Sequence, residues 1–317
     1  MRILMITEND PAGTAILFAK AVNALTEHTC RLVTTQTRYH HFFEKDLHLP
    51  LLDDAGLAAL EGLLRDSDVF HFHLLADENY ALGRFRPRDY MAGKLLVHHH
   101  HGHPDFREHP EKYREKYRRL GRKKLLVSTP DLLRKLPEAM WLPNLVPLDD
   151  PLYQPLPVNG GGPMVVSHSP TRKDLKNTDE LAAVVGRLRE RRPGSVDLDL
   201  IDDVRHRECL RRKQHSHVVF DHMQGYYGVS SLEGLSQGKP TIAGLDAWNQ
   251  ATIKEVFGCE SLPWVTARDA NALEATLEGL AEDPDARKAI GHASRVFMER
   301  HWNERFITER LISFYLS

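Results

Sequence analysis

The feature that most constrains the fold is an alternation of short apolar segments with amphipathic helix patterns along the 317 residues. Residues 1–7 have the pattern of a buried strand, and the turn residues 8–14 lead into a helix pattern that starts near Ala15. The order strand, loop, helix recurs through the rest of the chain. Such alternation is typical of a parallel sheet covered by helices on both faces, so we predict an α/β protein.

A proline-rich and glycine-rich segment divides this alternation into two halves. Residues 141–163 contain six prolines and three consecutive glycines without sustained periodicity, as expected of an interdomain connection. The chain also exceeds the usual size of one domain, and two domains of roughly 150 residues each are expected. We therefore predict an N-terminal domain at 1–155, a C-terminal domain at 156–302 and a closing amphipathic helix within 303–317.

Composition excludes several classes of function. The 42 Lys and Arg residues against 44 Asp and Glu give a net charge of −2, so no basic excess favours nucleic acid as a partner. Cys30, Cys209 and Cys259 are too far apart for a disulfide framework or a paired metal motif, which indicates a reducing compartment. No apolar segment approaches the roughly 18 residues of a membrane span, and none has the pattern of a signal peptide. The predicted location is the cytoplasm, at most peripheral to the inner face of the membrane.

The stretch 221–243, DHMQGYYGVSSLEGLSQGKPTIA, carries the most specific functional signal. It reads as a glycine loop, a short helix, a turn at Gly238 and a strand. Loop glycines let the backbone approach a ligand, and the N–H groups and positive dipole end of the next helix favour a phosphate. A carboxylate one turn inside the helix can accept hydrogen bonds from sugar hydroxyls. The predicted phosphate and ribose contacts are Gly228, Val229, Ser230 and Glu233.

Residues 228–240 resemble a motif of retaining, nucleotide-sugar-dependent glycosyltransferases of the GT-B architecture, in particular the family 4-like (group 1) enzymes that build bacterial surface glycans. Two other segments have weaker similarities. One is Leu142-Pro143-Asn144 with Tyr153-x-Pro155, and the other is the helix pattern that starts at Asp283-Pro284 and contains Arg287, Gly291 and Arg295. The resemblance covers most of the chain. It implies two Rossmann-like doubly wound parallel-sheet domains with a cleft between them, and a last helix that returns to the N-terminal domain.

One position departs from that motif. The signature of the group has two glutamates separated by seven residues, and the position eight before Glu233 is Gly225. In relatives the first glutamate contacts the transferred sugar and the second contacts the ribose. The resemblance therefore implies ribose binding by Glu233 and leaves the sugar contact open, with Gln224, Tyr226 and His222 as candidates.

A basic loop follows the first predicted strand of the C-terminal domain. It contains Arg172, Lys173 and Lys176, and cleavage of a nucleotide sugar needs cations that stabilise the departing diphosphate. The resemblance implies Arg172 and Lys176 as the catalytic cations. Their spacing is shorter than usual in the group, so Lys173 is an alternative, and a solvated loop without ligand is another.

Histidines are concentrated at 98–103, after a strand predicted at 94–98. Ligands collect at such strand ends in open α/β sheets, and the resemblance maps a His-Gly pair near the donor phosphates onto His101-Gly102. His101 is thus the third predicted catalytic residue. A merely structural run and a divalent metal site are the alternatives. Against the metal, neighbours on an extended chain point in opposite directions and no Asp, Glu or Cys completes the set. No metal is predicted, and His71 and His73 are predicted to be core histidines satisfied by backbone.

Two further segments have competing interpretations. Gly13 and Thr14 begin the first helix, and the resemblance implies that they lie near the acceptor and the donor phosphates, whereas the alternative is a tight turn without ligand. The segment from Lys112 to Lys124 holds eight Lys or Arg residues. It is either a solvated helix face or a peripheral contact with anionic lipid head groups.

The predicted function is transfer of a sugar from a nucleoside-diphosphate sugar to a hydroxyl of a glycan or lipid-linked acceptor, with retention of configuration and without cofactor or metal. Because Gly225 replaces a glutamate, an inactive sugar-nucleotide-binding or assembly protein is the alternative. A histidine-rich metal-binding protein is a weaker third.

Overall fold

The structure is a computed structural model that describes residues 1–38, 44–157 and 161–317. The chain divides into two units, Met1–Leu145 with Glu304–Ser317, and Val146–Asn303. The first boundary lies within the proline-rich segment, of which residues 158–160 lie outside the described residues. The sequence-based limits after residues 155 and 302 stay predictions.

The described part of the first unit is built on seven parallel strands in the order β3-β2-β1-β4-β5-β6-β7. The strands are β1 Arg2–Thr7, β2 Thr29–Thr34, β3 Leu47–His48, β4 Val69–His73, β5 Leu95–His100, β6 Lys124–Val127 and β7 Met140–Trp141. The helices between them are α1 Thr14–Leu25, α2 Asp54–Asp66, α3 Pro104–Glu108 and α4 Pro110–Arg119. The strand order reverses between β1 and β4, which is the switch point of a doubly wound sheet.

The second unit has five described parallel strands in the order β12-β11-β10-β8-β9. They are β8 Met164–His168, β9 Val196–Leu200, β10 Val218–Phe220, β11 Thr241–Ala243 and β12 Val265–Thr266. Its helices are α5 Thr178–Arg191, α6 His206–His215, α7 Val229–Ser236, α8 Ala247–Phe257, α9 Ala270–Glu282 and α10 Pro284–His301. Here the switch point lies between β8 and β10. The prediction of an α/β protein with two parallel sheets is confirmed.

The last helix, α11 Glu304–Leu316, belongs to the first unit. The Lys124 ammonium donates to the carbonyl of Phe314 at 2.7 Å, and Arg310 Nε donates to the carbonyl of Trp141 at 3.3 Å. The Tyr315 hydroxyl lies 2.6 Å from Nδ1 of His71 on β4. Hydrogen bonds along α11 therefore join it to β4, to the start of β6 and to the end of β7.

Two predicted element limits are wrong. Strand β5 continues through His100, because its pairing with β6 extends to the His100–Val127 register. His99 and His100, which were predicted to follow the strand, lie inside it. The basic segment from Lys112 to Lys124 is helical only as far as Arg119, because α4 spans Pro110–Arg119 and Lys124 already belongs to β6. Pro110 occupies the first position of α4. Proline lacks the N–H that a continuing helix needs and is favoured at a helix start.

A partly buried carboxylate lies at the start of α1. Asp10 accepts the backbone N–H groups of Ala15 at 3.2 Å and Ile16 at 2.9 Å. Burial raises the pKa of Asp10 from 3.8 to about 6, although these hydrogen bonds oppose the change. The carboxylate form is therefore less favourable in the folded chain than in the unfolded chain.

This shift predicts a pH-dependent difference between wild type and Asp10→Asn. The folded pKa lies above the unfolded one, so the stability that Asp10 contributes is complete below pH 4 and is lost as the pH rises through 6. Between pH 4 and pH 8 the wild type is expected to lose up to about 3 kcal/mol of unfolding free energy relative to the neutral variant. Urea unfolding of both proteins at pH 4 and pH 8 measures this change. If the difference in unfolding free energy between wild type and Asp10→Asn were the same at both pH values, the raised pKa of Asp10 would be contradicted.

Candidate functional site at the carboxyl edge of the second sheet

The switch point of the second sheet brings two segments together at its carboxyl edge, where ligands bind in open parallel sheets. Strand β8 ends at His168 and β10 ends at Phe220, and their register pairs these two residues. The residues that follow, Ser169 and Asp221, therefore leave the sheet side by side. Asp221 is also the first residue of the stretch 221–243.

Helix α7 begins at this edge. Its N-cap, Gly228, has an extended backbone and provides no side-chain cap. The helix ends before Gly238, whose positive φ of 66° suits glycine, and β11 follows. The predicted order of loop, helix, turn and strand is confirmed.

The Asp221 carboxylate caps α7 from outside the helix. It accepts the Gly228 N–H at 2.5 Å and the Ser231 hydroxyl at 2.8 Å, and Lys176 Nζ lies 3.3 Å away. Burial would raise the pKa of Asp221, but His222, Lys176 and these donors hold it well below its usual range. The Gly228 N–H, which was predicted to donate a hydrogen bond to phosphate, thus already donates to Asp221. No acceptor within the described residues takes the amides of Val229 or Ser230.

The three cations of the basic loop have different surroundings. Lys176 is turned inward, and a Cβ added at Gly228 would lie 3.0 Å from its ammonium. Arg172 pairs instead with Asp174, at 2.5 Å, on the exposed side of the loop. Lys173 pairs with Asp202, where both side chains are about half exposed. Of the predicted catalytic cations, Lys176 is the one that the described structure brings to α7.

A second cluster surrounds Glu233, one turn inside α7. Its Oε1 lies 2.8 Å from Nε2 of His206, and its Oε2 accepts from Lys213 Nζ at 2.5 Å. Lys213 also donates to Oγ of Ser230 at 2.8 Å. Burial alone would raise the pKa of Glu233, but Lys213 and His206 lower it to about 2. Each carboxylate oxygen has two lone pairs, so Glu233 can hold these partners and still accept ribose hydroxyls.

Lys213 is a site residue that sequence reasoning missed. It is fully buried on α6. Burial opposes its charged form, but Cys209 and Glu233 raise the pKa of its ammonium. The helix periodicity could have indicated that Lys213 is buried. Lys213 lies four residues after Cys209 and three after Leu210, which places it on the same apolar face of α6.

Gly225 has a φ of 91°, in the left-handed region where a glutamate would be strained. A Cβ at this position would face the carboxylate of Asp246, with Oδ2 3.8 Å away. Asp246 is the N-cap of α8, where it accepts the Asn249 N–H. The backbone thus accounts for the glycine, and a neighbouring loop supplies a carboxylate. Of the alternatives from the sequence, His222 is buried against Tyr226, with ring centroids 4.7 Å apart.

The predicted residues of the first unit lie at its own switch point. Gly13 has a φ of 65° and caps α1, so the turn requires it with or without a ligand. Thr14 is buried as the first residue of the helix. Asp10 takes N–H groups of this helix start, as Asp221 does in the second unit. Both helix starts predicted to bind phosphate therefore already hold a carboxylate.

His101 directly follows β5. Its Nε2 lies 2.9 Å from Nδ1 of His73, and burial lowers its pKa to about 3, so the ring is neutral at pH 7. The φ of 75° at Gly102 lies in the left-handed region that favours glycine. The prediction that His71 and His73 are satisfied by backbone is wrong, because their ring partners are Tyr315, His99 and His101.

Four of the eight cations of the basic segment are paired with carboxylates within the first unit. These pairs are Lys112–Asp105, Arg114–Glu138, Lys116–Asp77 and Arg122–Glu78. Arg118 lies close enough to Glu138 to help lower the pKa of that carboxyl group, after the larger effect of Arg114. Tyr113 and Tyr117 are buried, so α4 does not present an aromatic face to a lipid surface. Within the described residues, no helix combines the length and apolar character that crossing a membrane requires.

Neither a protein-family model nor a curated protein sequence matches the chain. Solved structures do match it in fold. HepE from Anabaena in complex with UDP and glucose is 11% identical, with a TM-score of 0.70 and 100% of both chains covered. Sucrose-phosphate synthase from Thermosynechococcus elongatus is 14% identical, with a TM-score of 0.63 over 99% of this chain and 98% of that one.

A third similar structure is UDP-GlcNAc 2-epimerase from Neisseria meningitidis bound to UDP-GlcNAc, which is 11% identical, with a TM-score of 0.57 over 100% of both chains. These likenesses, together with the two parallel sheets, show that the chain has the GT-B fold. The fold part of the predicted resemblance is confirmed. At these identities the likeness concerns the fold and not the reaction.

Proposed function

We propose that this protein transfers a sugar from a nucleoside-diphosphate sugar to a hydroxyl of a glycan or lipid-linked acceptor, with retention of configuration. The observation that carries the proposal is the arrangement around α7. Lys176, Ser230, Lys213 and Glu233 converge there at the switch point of a GT-B domain. Similar structures hold UDP with glucose, or UDP-GlcNAc, in the same fold.

The chemistry assigns different tasks to the two clusters of the second unit. Glu233 accepts hydroxyls of the nucleotide ribose, while Lys213 and His206 keep it ionised and fix its orientation. Lys176 and the amides of Val229 and Ser230 stabilise the diphosphate as its bond to the sugar breaks. Lys176 then exchanges its contact with Asp221 for the phosphate. Arg172 and His101 stay predicted contributors, Arg172 after release from Asp174.

The acceptor hydroxyl must lose a proton during transfer. With retention, the departing phosphate oxygen lies on the same face of the sugar as the incoming hydroxyl and takes this proton. Gly13 and Thr14 are the predicted contacts of the first unit with acceptor or donor phosphates. The proposed peripheral lipid contact through the segment from Lys112 to Lys124 rests on its other four cations, because four are already paired.

A nucleotide binding experiment tests the assignment of Glu233. In a thermal-shift panel of nucleoside diphosphates and their sugars, the preferred ligand at a hundred times its Kd is expected to stabilise the wild type by about 2.7 kcal/mol. Glu233→Ala is expected to abolish this shift, because it removes the carboxylate that accepts the ribose hydroxyls. Far-UV circular dichroism of the ligand-free variant checks its fold.

Glu208→Ala is the matched control. Glu208 lies on α6, about half exposed, and pairs with Arg211 on its own helix. This variant is expected to keep the full ligand-induced shift. An unchanged shift in a folded Glu233→Ala protein would remove Glu233 from the nucleotide site.

Gly225 favours a second candidate, a protein that binds sugar nucleotides without transferring the sugar. Turnover separates the two candidates. If the chain binds a nucleotide sugar but releases no nucleoside diphosphate, with water or with extracted glycan acceptors, the transferase proposal fails and the binding role stands.

A further inference from the structure

Four histidines line one face of the first sheet. His71 and His73 lie on β4, His99 lies on β5, and His101 follows directly. Successive side chains of a strand point to opposite faces, so alternate histidines of each strand share one side. The parallel register pairs His73 with His99. The spacing of the histidines does not suit a metal site within one strand. Across the two paired strands, however, it gives a compact cluster of imidazole rings.

Three of these residues, His71, His73 and His99, form a histidine trio with the spacing of metal ligands. Each is at most 1% exposed, and each offers one ring nitrogen within 4.8 Å of the other two. His71 Nε2 and His99 Nδ1 lie 3.3 Å apart. Two nitrogens bound at 2.0–2.1 Å to a tetrahedral zinc ion are also separated by about 3.3 Å.

The trio has unsatisfied hydrogen-bonding capacity. Among the described residues, Nε2 of His73 is buried without a hydrogen-bond partner. Buried polar atoms in native proteins are nearly always partnered, and an exception calls for an explanation such as an ion. A cation that replaces the single proton between His71 and His99 would also accept the lone pair of His73.

The surroundings of the trio are those of supported imidazole ligands. His71 contacts the Tyr315 hydroxyl at 2.6 Å through Nδ1, and His73 contacts His101 at 2.9 Å through Nδ1. Metal-bound histidines usually engage the other ring nitrogen in such a contact, which fixes the ring.

We propose that the histidine trio binds one divalent ion of borderline softness, zinc in the first instance. An all-imidazole donor set suits zinc and excludes magnesium and calcium, which prefer oxygen ligands. The ion would join β4 to β5 beneath α1, whose Phe18 ring lies 6.0 Å from that of His99, and beneath α11 through Tyr315. The metal proposal does not depend on the proposed transferase function.

Metal loading of the full chain tests the proposal. Protein purified with a histidine-free tag is refolded from guanidinium with Zn²⁺, because the trio is closed to solvent in the folded state, and excess metal is removed. We expect one zinc per chain by elemental analysis, and Co²⁺ in its place should give the intense visible absorption of a tetrahedral site. His73→Gln and His99→Gln are each expected to lower the affinity, in competition with a chelator, by at least about 100-fold.

His100→Gln is the matched control. His100 belongs to the same strand and the same histidine run, but its ring points to the other face, 2.7 Å from the Tyr117 hydroxyl. This variant should bind zinc as the wild type does. Equal affinities in all three variants would overturn the proposal by placing the ion elsewhere. Absence of both zinc and a cobalt spectrum in the wild type would overturn it without requiring that any variant fold.

Discussion

Replacement of Lys213 with methionine is expected to lower the free energy of unfolding of the second unit by about 3–5 kcal/mol. The Lys213 ammonium is fully buried and donates to Glu233 at 2.5 Å and to Ser230 at 2.8 Å. Methionine fills a similar volume but removes the charge that compensates the buried carboxylate. Guanidinium unfolding followed by tryptophan fluorescence measures the loss, since Trp248, Trp264 and Trp302 all lie in this unit.

A double variant separates the ion pair from general packing. Lys213→Met combined with Glu233→Leu removes both charges, and the double variant is expected to recover most of the lost stability, because apolar side chains replace a buried pair at little cost. Lys288→Met is the control. Lys288 and its partner Asp285 are both highly exposed, so the free energy of unfolding is expected to change by no more than about 0.5 kcal/mol. A double variant no more stable than Lys213→Met would contradict the assigned pairing.

Replacement of Lys176 with methionine is expected to lower kcat by about 100- to 1000-fold, the effect of removing one preorganised group that stabilises developing negative charge. The ammonium lies 3.3 Å from Asp221 and next to Gly228 at the start of α7, where the diphosphate is proposed to depart. Release of nucleoside diphosphate from the preferred donor is the measurement. KM should change much less than kcat, because the charge develops as the bond breaks.

Lys173→Met is the comparison within the same loop. Lys173 is about half exposed and pairs with Asp202, so a change of less than about threefold in kcat is expected from so screened a charge. A large loss in Lys173→Met with little loss in Lys176→Met would move the leaving-group role to Lys173.

The fold was predictable because its signals are local. Apolar runs for the buried strands, the helix periodicity and the proline-rich segment each depend on residues adjacent in sequence. The stretch 221–243 was equally informative, since Gly228, Gly238 and Pro240 specify a helix start and a helix end by themselves. These local signals led directly to two parallel sheets and to the position of α7.

The partners of the site residues were not predictable in the same way, because they depend on which segments the sheet brings together. Asp221 follows β10, and a rule about strand ends singles it out only once that strand is located. Glu233 meets Lys213, which is 20 residues away on another helix. His71 meets His99 because β4 and β5 pair in one register among several that their apolar patterns allow.

The first unit is discontinuous in sequence, which sets an order of folding during synthesis. Residues 146–303 of the second unit lie between Leu145 and α11, and their translation takes roughly 8–30 s at 5–20 residues per second. For that time the nascent first sheet lacks the helix that carries Tyr315, the partner of His71. The second unit is therefore able to fold completely while the first is unfinished.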